Sequence, residues 1–186
     1  MGKEELISEI LDLEWEMFSS VRNRDGRASC QEDPRTFRII RSGGFMVWSR
    51  DTLESYRADL EEARASGRNL MTEKYARMEG LIDPPNPDAL PLITEIVSRE
   101  CRWAEEFRRR YPNVKLGRPI YDSEAPPSVV SAETYSRAEL ETYSMRTLEL
   151  YHRDNREIEA RGQNRIEMAA LNMSRQFSEA QDTRKP

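Results

Sequence analysis

The chain has 186 residues, 34% of them charged and 37% hydrophobic, with a formal net charge of −5. That length can bury a real core as one domain, and the mixed charge excludes a basic stripe that tracks nucleic-acid phosphates. No apolar run approaches the roughly 20 residues that span a bilayer, and two cysteines cannot build a disulfide framework, so a cytoplasmic protein with free thiols is expected, engaging neither membrane nor nucleic acid.

Leu6, Ile10, Leu13, Met17 and Val21 recur three or four apart and predict a first amphipathic helix, ended by the turn Asn23-Arg24-Asp25-Gly26-Arg27. Pro34 suits the first turn of a short helix carrying Phe37, Ile39 and Ile40, which Ser42-Gly43-Gly44 is expected to interrupt. Ser49 or Asp51 caps a helix reaching about Ser66, with Gly67 as the residue that stops it. Asn69 to Gly80 reads as another helix, and Asp83-Pro84-Pro85-Asn86-Pro87 is too rich in proline to be helical. Leu92, Ile93, Ile96, Val97, Trp103 and Phe107 predict a long helix ending near Tyr111. A loop with Pro119, Pro126 and Pro127 then leads to Ser131, where a helix expected to run to about Arg161 begins; Ile166, Ala170, Met173 and Phe177 define the last. The expected fold is all-α, a compact domain of about seven helices spanning residues 1–186.

One motif occurs twice. Ser49-Arg50-Asp51-Thr52-Leu53-Glu54-Ser55-Tyr56 returns as Ser144-Met145-Arg146-Thr147-Leu148-Glu149-Leu150-Tyr151 at an offset of 95. An aromatic residue precedes each copy, Trp48 and Tyr143, and a turn follows each, Gly67-Arg68-Asn69 and Gly162-Gln163-Asn164. Leu6-Ile7-Ser8-Glu9-Ile10 matches Leu92-Ile93-Thr94-Glu95-Ile96 at an offset of 86, and Gly26-Arg27 matches Gly117-Arg118 at 91. Two pseudo-symmetric halves, approximately 3–82 and 88–178, are therefore expected, packed as a homodimer would be. Capping and a core stripe explain much of the motif; the functional reading puts Trp48 and Tyr143 on a shared pocket. Both readings stay open at this point.

Histidine occurs once, at His152, where an exposed helical position is expected. With two distant cysteines and no paired Glu-x-x-His there is no metal constellation, and no phosphate loop, dinucleotide fingerprint or Gly-x-Ser-x-Gly is present, so neither metal nor cofactor is predicted. Polar residues in excess of folding needs remain: Arg27 to Gln31, Glu73-Lys74-Tyr75, Gly117 to Tyr121, and Glu133 to Arg137. Glu73 with Arg77 and Glu133 with Arg137 are spaced as ordinary surface ion pairs. Alternatively Arg27, Arg118 and Arg137 converge on an anion, which a guanidinium grips with two parallel hydrogen bonds. In that case Glu73 or Glu133 suits a general base, Lys74 or Tyr121 a general acid, and Tyr75 a contact to the substrate. Cys30 becomes a nucleophile only if Arg27 lowers its pKa, whereas Cys101 beside Trp103 reads as core.

The runs Gly26 to Gln31, Leu70 to Met78 and Gly117 to Tyr121, with Glu133-Thr134-Tyr135, Arg137, Glu139, Leu140 and Thr142-Tyr143-Ser144, resemble a bacterial family of uncharacterised domains, domain of unknown function 4125. The resemblance covers Leu6 to about Gly162, departs at Ser42-Gly43-Gly44, and implies no activity. From the residues themselves, the expectation is a small metal-independent enzyme that acts by proton transfer on an anionic small molecule in a polar pocket between the halves. The alternatives are a non-catalytic ligand-binding or protein-interaction module, or a scaffold for assembly, with a homodimer left open. A single active site should fall where the halves differ, as Glu73-Lys74-Tyr75 differs from Met168-Ala169-Ala170.

Overall fold

The computed structural model describes residues 2–22 and 29–182, which contain helices and connections and no strand. Eight α-helices run through them: α1 Lys3–Ser19, α2 Pro34–Phe45, α3 Arg50–Ala65, α4 Leu70–Met78, α5 Leu90–Arg110, α6 Ala132–Leu140, α7 Met145–Ala160 and α8 Arg165–Asp182. Short 3-10 turns lie at Ser29–Glu32, Pro87–Ala89 and Asp122–Glu124. The all-α expectation holds.

Two local expectations fail for identifiable reasons. Ser42-Gly43-Gly44 does not break α2, which continues to Phe45. A Cβ on Gly43 would stand 2.4 Å from Cγ of Met173 and 3.2 Å from the Ala169 carbonyl, so this glycine serves close helix packing. The single helix expected from Ser131 to Arg161 is two helices, because Ser144 caps α7 by accepting a hydrogen bond from the Thr147 amide at 3.2 Å. Ser49 does the same for Thr52 at 3.3 Å, so the twice-written motif marks a helix start in both places.

The chain divides into two compact units: Met1–Thr72 with Glu167–Pro186, and Glu73–Ile166. In the first, α1 packs on α2 and α3, burying Leu6, Ile10, Leu53, Tyr56 and Leu60. Each such side chain contributes about 1.5–3 kcal/mol by leaving water. Phe45, Trp48 and Tyr56 meet as an aromatic cluster, with Trp48 edge-on to Phe45 at 5.0 Å and to Tyr56 at 5.6 Å. Gln31 sends its amide to the carbonyls of Phe18 and Val21, both at 2.9 Å, satisfying groups that the end of α1 leaves open. In the second unit α5 packs on α6 and α7, with Ile93, Ile96, Val97, Trp103, Phe107, Leu148 and Ile158 as core.

Repeated sequence gives repeated bonds inside each unit. Asn69 donates to the Met17 carbonyl at 2.9 Å, and Asn164 to the Trp103 carbonyl at 2.9 Å. Arg57 bonds Glu9 at 2.7 Å, and His152, half-buried where an exposed residue was expected, meets Glu95 at 2.8 Å. Gly67 and Gly162 close α3 and α7 at φ of +71° and +66°, the left-handed conformation in which glycine carries no Cβ penalty.

Candidate functional site

The second unit gathers most of the sequence-selected polar residues, and α6 sorts them by helical spacing. Tyr135 and Glu139 stand four apart on one stripe, Glu133 and Arg137 on another. Lys74 of α4 is 2% exposed and donates to Oε2 of Glu139 at 2.5 Å. The Tyr143 hydroxyl donates to the other oxygen of that carboxylate at 3.0 Å. The Lys74 ammonium also lies 3.6 Å from the centroid of the Tyr135 ring and 5.9 Å from that of Tyr75, close enough for cation–π attraction. Arg118 places its guanidinium 4.2 Å from the same Tyr135 ring.

Arg118 donates to the Val130 carbonyl at 3.3 Å and has no carboxylate partner among the described residues. Arg77, by contrast, is spent: it donates to buried Glu141 at 2.5 Å and to the Ile82 carbonyl, so the expected pairing with Glu73 is absent. Glu73 itself is half-buried in the first turn of α4.

The other stripe of α6 has a different role. Glu133 accepts from the Asp122 amide at 3.2 Å, and Arg137 donates to the Thr94 hydroxyl at 3.1 Å instead of meeting Glu133. Asp122 accepts from the Ser131 hydroxyl and from that of Thr134 at 2.7 Å, which holds its carboxyl below the usual range. Burial, with Glu105 next in effect, raises the Tyr121 phenol. Burial, followed by the carboxylates of Glu133, Glu100 and Glu105, pushes the Cys101 thiol up to about 12. Trp48 belongs to the aromatic cluster of the first unit. Arg27 and the side chain of Cys30 lie outside the described residues.

Sequence reasoning missed the buried carboxylates. In the first unit Glu14, fully buried, accepts from Tyr56 at 2.7 Å and from Nε of Arg41 at 2.8 Å, and Arg41 reaches its second oxygen as well. In the second unit Glu100 accepts from Tyr151, from Ser136, and from Arg165 at 2.6 Å. Glu14 and Glu100 stand at the 86-residue offset, Tyr56 and Tyr151 at 95, so the repeat itself carried the signal. Among the described residues no three of histidine, cysteine, aspartate and glutamate are grouped to hold a metal ion, and no helix is long and apolar enough to cross a membrane.

Residues 4–181 match the family described as Protein of unknown function (DUF4125). The chain belongs to the DUF4125 family. No curated protein and no solved structure matches it. The family description brings no activity, so the function of this DUF4125 chain has to be argued from its site.

Proposed function

We propose that this DUF4125 protein is a small enzyme that transfers a proton on an anionic small molecule held beside the Tyr135 ring of its second unit. The observation that carries the reading is the charge balance there. Lys74 is answered by Glu139 and Arg77 by Glu141, whereas Arg118 has a carbonyl and no carboxylate partner among the described residues. A stacked guanidinium with N–H groups left over suits a carboxylate or phosphate held by two parallel bonds. Glu139 then serves as proton acceptor and Lys74 as donor, their atoms 2.5 Å apart, with Tyr143 orienting the carboxylate. Glu139 thereby takes the role that the sequence offered to Glu73 or Glu133. The same reading keeps the protein bacterial and cytoplasmic, with a small-molecule partner and no nucleic acid.

A non-catalytic anion receptor has one observation in its favour: both Glu139 oxygens are already engaged, as in a locked structural pair. Thermal shifts across a panel of small carboxylates and phosphate esters test the common premise. An anion that binds should raise the melting temperature of the wild type and leave Arg118→Gln unmoved. If no anion shifts the wild type, the site reading fails. Where one does, Glu139→Gln separates the alternatives, since lost turnover of that compound with retained shift marks the enzyme.

A further inference from the structure

The donors and charges open to a ligand at the Tyr135 ring set the kind of anion that fits there. Two cations face that ring, Lys74 at 3.6 Å and Arg118 at 4.2 Å from its centroid. Lys74 is 2% exposed and its ammonium is committed to Glu139, so a ligand arriving from solvent meets Arg118. Arg77 is held by Glu141, and Arg137 turns to the Thr94 hydroxyl from the side of α6 opposite Tyr135.

Arg118 presents one edge. Its Nη1 donates to the Val130 carbonyl at 3.3 Å, whereas Nε and Nη2 have no hydrogen-bond partner among the described residues. The residue is half-buried, and neither of those nitrogens is sealed from water, so both N–H groups are open to a ligand. Together they form the parallel pair that a planar carboxylate meets with two bonds. A third oxygen needs a further donor, and the start of α6, two residues beyond Val130, is the usual kind of source. Its first three helical amides are taken. Ala132 donates to the Pro119 carbonyl at 2.8 Å, Glu133 to the Ile120 carbonyl at 3.0 Å, and Thr134 to the Ser131 hydroxyl at 2.9 Å.

We propose that the ligand of this site is a monocarboxylate and not a phosphate ester, its two oxygens lying along the Nε–Nη2 edge of Arg118. The inference rests on the anion-site reading above and narrows it. A carboxylate brings one negative charge and two oxygens, which a single guanidinium edge answers in full. A phosphate monoester brings a charge of about −1.5 to −2 and three acceptor oxygens at neutral pH. Its extra charge and oxygen find neither a second open cation at the Tyr135 ring nor a free amide in the first turn of α6.

Matched pairs separate the head groups: acetate with methyl phosphate, and benzoate with phenyl phosphate. Each is titrated into the full chain at neutral pH and constant ionic strength, followed by ¹H–¹⁵N NMR. Saturable shifts are expected with a carboxylate at millimolar concentration. Its phosphate counterpart should bind at least about tenfold more weakly, the effect of one unmet charge-assisted hydrogen bond. Arg118→Lys keeps the charge but loses the fork and should weaken carboxylate binding by a similar factor, with the dispersed spectrum retained. Arg118→Gln should abolish it. If neither head group binds the wild type, the anion site itself fails and this assignment with it. Phosphate binding as tight as its carboxylate counterpart, and lost in Arg118→Gln, keeps the anion site and overturns the monocarboxylate alone. Full carboxylate affinity in Arg118→Lys or Arg118→Gln also overturns it, since the fork would then not be the contact.

Discussion

Substituting Lys74→Met isolates the central electrostatic decision of the second unit. The Lys74 side chain is 3% exposed and that of Glu139 14%, so water does little to screen either charge. Methionine keeps the length and apolar stem of lysine but takes the buried ammonium away from the Glu139 carboxylate, which the Tyr143 hydroxyl still meets at 3.0 Å. Removing one member of a buried pair costs about 3–5 kcal/mol, against about 0–1 for an exposed one. Pairing it with Glu139→Gln retains an acceptor for Tyr143 and removes both charges, so the double variant should cost about 2–3 kcal/mol less than the two singles summed. Urea unfolding followed by far-ultraviolet circular dichroism and tryptophan fluorescence measures both quantities, with Trp103 the one tryptophan within Glu73–Ile166. A Lys74→Met cost below about 1 kcal/mol would show the pair to be solvated. It would then support neither a buried lock nor a desolvated proton-transfer pair.

Adjacent glycines of α2 should behave oppositely. Gly43→Ala forces a Cβ into Met173 and should cost about 1–3 kcal/mol, whereas Gly44→Ala meets no atom within 4 Å and should gain about 0.5–1 kcal/mol from lower unfolded-state entropy; equal effects in urea melts would refute the packing argument. Cys101, its thiol pushed up to about 12, should resist iodoacetamide near pH 8 in the native state and react once unfolded; peptide mapping of alkylated protein reads this, and fast native labelling would contradict it. The Asp122 carboxyl is depressed on folding, so its contribution is complete above the unfolded carboxylate range near 4 and is lost as pH falls through the lower folded value. Asp122→Asn should therefore flatten the acid side of the stability profile, and an unchanged acid slope would count against it.

Periodicity made the helices legible, and turn chemistry located most of their ends. The internal start at Ser144 was legible too, because the motif that caps α3 is repeated there, yet apolar spacing alone ran α6 and α7 together. Gly43 misled for the opposite reason: glycine inside a helix looks like a breaker when the side chain that demands it, Met173, lies far along the sequence. At the site, Lys74 and Arg118 were recognisable as polar residues beyond folding needs and Tyr143 as the aromatic ahead of the second motif, while their organiser was not. Lys74 reaches Glu139 across 65 positions, and no local spacing announces such a pair. Local spacing instead suggested Glu73 with Arg77 and Glu133 with Arg137, and the four residues find other surroundings. Exposed i,i+4 pairs gain only a few tenths of a kcal/mol, so a buried partner such as Glu141 readily takes Arg77 away.

The two closures of the buried Glu–Tyr pair can be exchanged, and that exchange tests whether the repeat offset identifies equivalent positions. Arg41→Met strands Glu14, which is fully buried, and should cost about 3–5 kcal/mol. Arg165→Leu should do the same to Glu100, while Ser136→Ala removes one hydrogen bond and should cost about 1–3 kcal/mol. If Ser136, which stands 95 residues after Arg41 and bonds Glu100 as Arg41 bonds Glu14, occupies its place, the double variant Ser136→Arg, Arg165→Leu rebuilds the first unit's closure around Glu100. It should recover most of the loss caused by Arg165→Leu alone. Urea midpoints at constant m-value decide it. A double variant no more stable than Arg165→Leu would mean that the 95-residue match extends only to the caps and the Glu–Tyr contact. The asymmetry between Ser136 and Arg41 would then be a local packing difference.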